Sequence, residues 1–370
     1  MMNYKSIVPC FLFIVLLLLR FQSQSQLELQ NGQLIRATGT LSAEPQAFAG
    51  AQRFSMGRIL VKTSRYPEYH YGDRLEIKGK VKNNLLSYPE IKIIKNSPNS
   101  NGIKGMAIAL NQELKQLYNQ YFPQPLDGIV AGVVLGDKSL IPFDFWEQLK
   151  QTGTLHIMVA SGMNIAFLAG SALSLLTLAF KRQIAVFFLF GLIWFYTIMT
   201  GLTPPVVRAA IMASLIYLSQ ALGRGARGER ILLFTGGIML FLEPLLLFDL
   251  GFQLSFLATA GLVFLQPRLQ QQNCQLLRNE NFSSSLSAQI FTLPVLVLNF
   301  GQLNLASPLI NLAVLWLIPF VLQAGMLVGL LGIFWSWLGE ISAYLLYPLL
   351  FLIEQIVGLS AKATIFQLNL

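Results

Sequence analysis

Two cysteines, two histidines and a charged fraction of 12% deprive this 370-residue chain of several chemistries at the outset. Cys10 and Cys274 stand far apart and outside any CxxC pattern, so neither a disulfide framework nor a thiolate metal site can be built from them. His70 and His156 are too few for a multi-histidine metal centre, and no metal or cofactor is expected. Charge is scarce beside the roughly one quarter typical of soluble domains. What fills its place is apolar: 54% of residues are hydrophobic and the mean hydropathy is +0.57. Such a chain belongs in lipid.

The apolar excess is unevenly spread. From about Gln22 to Tyr121 the chain is polar enough for water, and from about Thr154 onward it is a near-continuous series of hydrophobic segments. Ile7 to Leu19 is an apolar run behind Lys5, shorter than the roughly 20 residues that cross about 30 Å of hydrocarbon. It reads as a signal-peptide core or a short anchor. The lack of a small-x-small site in Arg20 to Gln26 favours the uncleaved anchor, residues 1–22.

Residues 23–101 form the next unit. Arg58 to Lys62 and Arg74 to Val81 alternate with period two between turn signals, the mark of half-buried strands in a small β barrel. Gly79 suits a bulge or a tight bend at a corner of that barrel. Between Gln24 and Asn101 there are eleven Lys/Arg against six Asp/Glu, with Phe48, Phe54, Tyr66, Tyr69, Tyr71 and Tyr88 interspersed. That combination fits backbone tracking and base stacking on single-stranded nucleic acid, for which Arg58, Lys62, Arg65, Tyr69, Arg74, Lys78 and Lys80 are the candidates. A solvated basic face over an aromatic core is the plainer explanation of the same residues. Residues 102–125 follow as an amphipathic helix at the membrane surface, with Ile103, Met106, Ala107, Leu110, Leu114, Leu117 and Tyr118 on its apolar side.

The remainder, residues 126–370, is a polytopic membrane domain. Segments are expected at about 155–180, 184–200, 204–222, 231–248, 251–266, 285–299, 306–335 and 341–360, the seventh being one kinked helix or two re-entrant ones. Lys181-Arg182, then Arg224, Arg227 and Arg230, then Arg268 and Arg278 occupy alternate loops, which makes those loops cytoplasmic and the β unit external.

Ionisable and polar groups inside apolar segments are costly and so are functional candidates. Arg208 follows Pro204-Pro205 and either snorkels to the interface or lines a polar cavity. Asp249, with Gln253 and Ser255 just beyond it, either caps a helix or pairs with Arg208. His156 and Ser161 do not make a hydrolase, because five residues on one helix set them about 140° apart. The backbone at Ala160-Ser161-Gly162 is either broken beside a cavity or an unbroken stretch of interhelical glue. Gly162, Ala166, Gly170 and Ser174 repeat every fourth residue, the small-residue stripe of a centrally packed helix.

Three ordered blocks in this region resemble the ComEC family of competence proteins. Leu135-Gly136-Asp137-Lys138-Ser139 followed by Gly153-Thr154-Leu155-His156 and Ser161-Gly162 is similar to that family's G-D-[RK]-S … G-x-x-H-x-x-x-x-S-G signature. Pro205 to Met212 is similar to its P-S-x-x-R-A-x-x-M segment, and Asp249 to Phe256 to its D-x-G-F-Q-L-S-F segment. The resemblance implies a polytopic α-helical membrane protein with a small external all-β (OB-like) domain. It implies a channel that passes single-stranded DNA through a bacterial inner membrane during natural transformation. Asp137, Lys138, His156, Ser161, Asn164, Arg208, Asp249, Gln253 and Ser255 would lie along the DNA path. Single-stranded DNA, membrane lipid, a DNA receptor, a separate nuclease, a cytoplasmic ATPase or helicase and further copies of the chain would be its partners. The chain departs from the family in three ways. Met163-Asn164 stands where the family has L-H, no H-x-D-x-D-H cluster of a metallo-β-lactamase-like nuclease follows the membrane segments, and one short apolar segment precedes the β unit. With no nucleotide-binding fingerprint either, no enzymatic activity is expected of this chain. A small-solute secondary transporter with an external β domain is the alternative, disfavoured by the lack of an internal repeat.

Overall fold

The computed structural model describes residues 32–41, 45–48, 51–56, 59–64, 66–67, 69, 73–82, 85–95, 102–155, 162–223, 225, 227–272, 274–300, 302–304, 310, 313–363 and 367–369. The N-terminal apolar run, Cys10, Arg58, Arg65, His70, His156 and Ser161 lie outside them.

Period-two alternation produces the β unit where it was expected. Its strands are β1 (Leu34–Thr40), β2 (Gln46–Phe48), β3 (Ala51–Met56), β4 (Ile59–Ser64), β5 (Arg74–Lys82), β6 (Leu85–Ser87) and β7 (Glu90–Lys95). β5 is shared by two sheets: it pairs antiparallel with β1 over Arg74–Lys80, with β7 over Arg74–Lys78 and with β6 at Val81 and Lys82. β4 then runs parallel to β6 and antiparallel to β3, which pairs with β2. The inward residues Phe54, Val61, Leu75, Ile77 and Leu86 are buried together with Tyr69, which meets Phe54 edge to face at 5.8 Å. The side-chain amide of buried Gln52 donates to Ser64 O at 2.9 Å and Pro67 O at 2.6 Å, holding the stretch after β4 onto β3. Gly79 is not a bulge: the register irregularity falls between Arg74 and Leu75. The glycine is there for room, since a Cβ would stand 2.8 Å from Leu86 Cδ2 and 3.0 Å from Pro89 Cβ.

The helices are α1 (Ile103–Tyr121), α2 (Leu126–Leu135), α3 (Phe143–Thr152), α4 (Gly162–Ala179), α5 (Arg182–Met199), α6 (Pro204–Ala221), α7 (Gly228–Leu242), α8 (Leu250–Ala260), α9 (Gln266–Gln270), α10 (Gln275–Arg278), α11 (Glu280–Phe300), α12 (Ile318–Phe334) and α13 (Ser336–Ala363). A π turn at Gly261–Leu265 joins α8 to α9, and a short pair of strands sets Gln302–Asn304 against Gln367–Asn369. Five stretches are long and apolar enough to cross a membrane: α4, α5, Leu250–Gln270, Ala313–Phe334 and Ser336–Lys362. The protein is thus a mostly helical membrane protein with a small N-terminal β domain. The segments expected around α6, α7 and α11 are helices but are not among the five; α7 has 15 residues, and α6 carries Arg208, Ser214, Ser219 and Gln220.

The chain falls into two units, residues 30–214 with 296–370 and, among the described residues, 215–295. In the larger one, α1 does more than lie on a surface. It buries Ala107, Leu114 and Tyr118 against α2, α5 and α12, and Asn111 donates to Met199 O at 2.8 Å. α2 was absent from the expected segments. Its ten residues are all buried and rise only about 15 Å, half of a hydrocarbon core. It is surrounded by α1, α12 and α13.

Candidate functional site

Every helix end leaves carbonyls that need donors, and in an apolar setting each unmet one costs several kcal/mol. The end of α2 is where the family-like residues gather. Gly136 adopts a left-handed φ of 74°, which turns the chain so that its N–H reaches Gly132 O at 3.1 Å, and Asp137 N–H reaches Ala131 O at 3.4 Å. Two carbonyls of the last turn are met from other helices. Asn164, in the first turn of α4, donates to Val133 O at 2.6 Å, and the Tyr196 hydroxyl of α5 donates to Val134 O at 2.9 Å. The two side chains also touch, Asn164 Nδ2 to the Tyr196 hydroxyl at 3.4 Å. Asn164 is therefore a buried amide that ties α4 to α2.

Beyond Gly136 the charged pair diverges. Asp137 accepts the Ser139 N–H at 2.8 Å through Oδ1 and an ion pair from Lys115 of α1 at 2.9 Å through Oδ2. Lys138 turns to α3, its ammonium 5.7 Å from the centre of the Trp146 ring. α3 itself ends on Gly153, also left-handed at φ 71°, with Thr152 and Thr154 hydroxyls 2.8 Å apart behind it.

Arg208 of α6 lies against the start of α4. A Cβ added to Gly162 would stand 2.8 Å from Arg208 Nη2 and 3.2 Å from Ala209 Cβ, so this glycine makes the space that the guanidinium fills. Nη1 also lies 3.8 Å from Met212 Sδ, one turn along α6. The rest of the small-residue stripe does not pack as expected. Ala166, Gly170 and Ser174 are exposed, nothing lies within 4 Å of a Cβ placed on Gly170, and α4 instead buries Asn164, Ile165 and Ala169. Small residues permit close approach without requiring it.

In the smaller unit Asp249 behaves as a cap. Its Oδ1 accepts the Phe252 N–H at 2.7 Å at the start of α8. Gln253 reaches back to Leu247 O at 2.8 Å, closing the 3-10 turn Pro244–Phe248 onto the same helix, and Ser255 is buried one turn on. The D-x-G-F-Q-L-S-F block therefore builds a helix start.

The β unit presents its own face. Arg74, Glu76, Lys78 and Lys80 alternate outward on β5, with Arg36 of β1 opposite Lys78 and with Lys92 and Glu90 of β7 opposite Glu76 and Lys78. Arg36 donates to the Glu76 carboxylate, and that hydrogen bond, with the charges of Arg36, Lys78 and Lys92, holds the carboxyl below its ordinary pKa. Arg36, Arg74, Lys78, Lys80 and Lys92 are exposed, so one sheet face is predominantly basic. Lys62 is half-buried on β4 opposite Arg53. Tyr69, expected to stack on bases, is 5% exposed and belongs to the core. Among the described residues of the β unit the exposed rings are Tyr66 and Tyr88. Among the described residues no group of three or more His, Cys, Asp or Glu could hold a metal.

Sequence reasoning missed Lys115, Asp127 and Tyr196, and placed Tyr118 on the apolar side of α1 without its hydrogen bond. Asp127 carried a signal, an acidic residue within Leu126–Leu135, whereas a tyrosine in an apolar helix carries none. The Tyr118 hydroxyl donates to Gly325 O at 2.9 Å, fastening α1 to α12.

No solved structure matches the chain. Among characterised sequences it is 27% identical over 240 residues to the ComE operon protein 3 of Bacillus subtilis, 64% of this chain and 30% of that one. It is 25% identical over 211 residues to Recombination protein 2 of Haemophilus influenzae, covering 54% and 26% respectively. An uncharacterised Escherichia coli protein, YcaI, is 26% identical over 243 residues, 60% of this chain and 32% of that protein. The chain thus spans about a third or less of the length of these three relatives. Residues 133–370, from the end of α2 through all the membrane helices, match the family model described as Competence protein, and the chain belongs to that competence protein family.

Proposed function

We propose that the chain is the channel component through which single-stranded DNA crosses a bacterial inner membrane during natural transformation. Membership in the competence family supports DNA uptake as the process. The observation that carries the reading is the exposed basic face of β1, β5 and β7, in a chain that also has five stretches long and apolar enough to cross a membrane. Such a face attracts a phosphate backbone without reading sequence. The alternate-loop arginines support an outer position for the β unit, where it would meet incoming DNA. Arg208, with Gly162 making room for its guanidinium, would be the membrane-region cation that meets phosphate. A DNA receptor, a nuclease acting on the other strand and a cytoplasmic ATPase would complete the machine, and further copies of the chain would enclose the path.

The test is internalisation of end-labelled DNA into a nuclease-protected, single-stranded form, in a strain deleted for this gene and complemented with wild type or Arg208→Ala. Wild type restores uptake, and Arg208→Ala, inserted at the wild-type level, leaves it at the background of the deletion. Failure of well-expressed wild type to restore uptake would overturn the reading.

A further inference from the structure

Asp127 takes no part in the arrangement above. It stands in the first turn of α2 and is fully buried. Its Oδ1 accepts the Gly128 N–H at 2.7 Å, while Oδ2 has no hydrogen-bond partner among the described residues. A second such atom belongs to the loop after α2: Ser139 Oγ is shielded from solvent and likewise unpartnered. The two segments are in backbone contact, because a Cβ on Gly128 would stand 2.9 Å from Ile141 Cα and 3.0 Å from the Leu140 carbonyl carbon. The lysines nearby in the chain are engaged elsewhere, Lys115 with Asp137 at 2.9 Å and Lys138 over Trp146.

Magnitudes decide what the carboxylate lacks. Burying an ion costs several kcal/mol even after relaxation. The Gly128 N–H and the N-terminus of α2 offset only part of that cost. A countercharge closes the gap. A single carboxylate balances a single positive charge, and a divalent ion would leave one charge uncompensated. Carboxylate and hydroxyl oxygens are hard donors, suited to an alkali-metal ion and not to a soft transition metal.

We propose that Asp127 Oδ2 and Ser139 Oγ contribute to binding one alkali-metal cation, Na+ or K+, between the start of α2 and the loop that follows it. The ion neutralises the buried carboxylate and fastens α2 to the loop carrying Asp137 and Lys138. A carboxylate held there by protonation alone is the competing chemistry, and the experiment separates the two.

The full chain, purified in detergent, is melted at neutral pH in NaCl, KCl or choline chloride at equal ionic strength, with tryptophan fluorescence as the readout. Wild type melts several degrees higher in NaCl or KCl than in choline, with an effect that saturates with concentration. Asp127→Asn loses that difference and melts in choline no lower than wild type, and Ser139→Ala raises the half-saturating concentration. Equal wild-type midpoints in the three salts, a difference that survives in Asp127→Asn, or a midpoint that follows pH but not the cation would each overturn the proposal. Should Asp127→Asn fail to reach the membrane, binding of radioactive sodium to the purified wild type decides. Saturable uptake of one ion per chain, displaced by K+ and weakened in Ser139→Ala, supports the site, and no saturable uptake removes it.

Discussion

Asn164 and Tyr196 face carbonyls that water cannot reach, so their removal is felt as an unsatisfied acceptor and not merely as a lost contact. Asn164→Leu keeps the volume near its original and strips the donor from Val133 O; a cost of about 1–3 kcal/mol is expected. Tyr196→Phe does the same to Val134 O. Because the two side chains are themselves in contact, the double variant should cost less than the sum of the single ones, measured as thermal midpoints in detergent. Additive losses would mean that each carbonyl is served independently. Gly162 offers a second test at this scale. Gly162→Ala places a methyl 2.8 Å from the end of a flexible guanidinium, which can shift, whereas Gly162→Leu must expel it. Uptake should fall modestly in the first variant and to the level of Arg208→Ala in the second, at equal membrane abundance. The residues behind these predictions were unequally legible in sequence. Gly136, Asp137 and Arg208 stood out through their motif or through charge in an apolar run. Tyr196 is one ring among many in α5, and only the folded helix shows which carbonyl it serves.

Packing between helices follows a rule that no single residue reveals. Gly325, Gly329 and Gly332 make a track on α12 into which Val130 and Val134 of α2, Leu114 and Tyr118, then Leu117 and Tyr121 of α1 settle; a Cβ on Gly329 would stand 2.9 Å from the Tyr118 hydroxyl. Gly339, at the start of α13, closes on the same track, where a Cβ would stand 2.9 Å from the Gly332 nitrogen. Gly329→Leu should therefore separate α1 from α12, break the Tyr118 bond to Gly325 O and lower membrane abundance severely. Gly170→Leu on α4 should leave abundance unchanged, since nothing lies within 4 Å of the new atom. Immunoblots of membrane fractions compare the two, and a severe loss at Gly170 would mean that a further copy or partner covers that stripe. The sequence contains both glycine patterns, and the four-residue spacing in α4 is the more regular. Regularity proved the poorer guide, because which helix arrives at a small-residue face depends on the topology of the bundle. α2 escaped notice for a related reason: ten residues are too few for a spanning pattern, and a helix wholly enclosed by others has no polar side to give it a period.

At the scale of the molecule the division of labour was plain in composition, since polar alternation before Tyr121 and apolar runs after Thr154 suffice to separate a β domain from membrane helices. The distribution of charge on the β domain needed strand register. Arg74, Lys78 and Lys80 lie on one face of β5 because they alternate, but Arg36 and Lys92 join them only through pairing with β1 and β7. Arg36 is committed to Glu76, which leaves Arg74, Lys78, Lys80 and Lys92 for phosphate. Four contacts on a single strand predict that the logarithm of affinity falls against the logarithm of salt with a slope of about −3. Lys78→Glu with Lys80→Glu removes two of those contacts and adds repulsion. The full chain in detergent should then bind a fluorescent single-stranded oligonucleotide many-fold more weakly at low salt, with a slope roughly halved. Oligonucleotides of different sequence should bind nearly alike, because phosphate contacts carry no base information and Tyr69 is sealed in the core. Among the described residues Tyr66 and Tyr88 are the exposed rings able to stack on bases, so Tyr66→Ala with Tyr88→Ala should weaken binding without changing the salt slope. A slope that stays at its wild-type value in the lysine variant would move the phosphate path off this sheet.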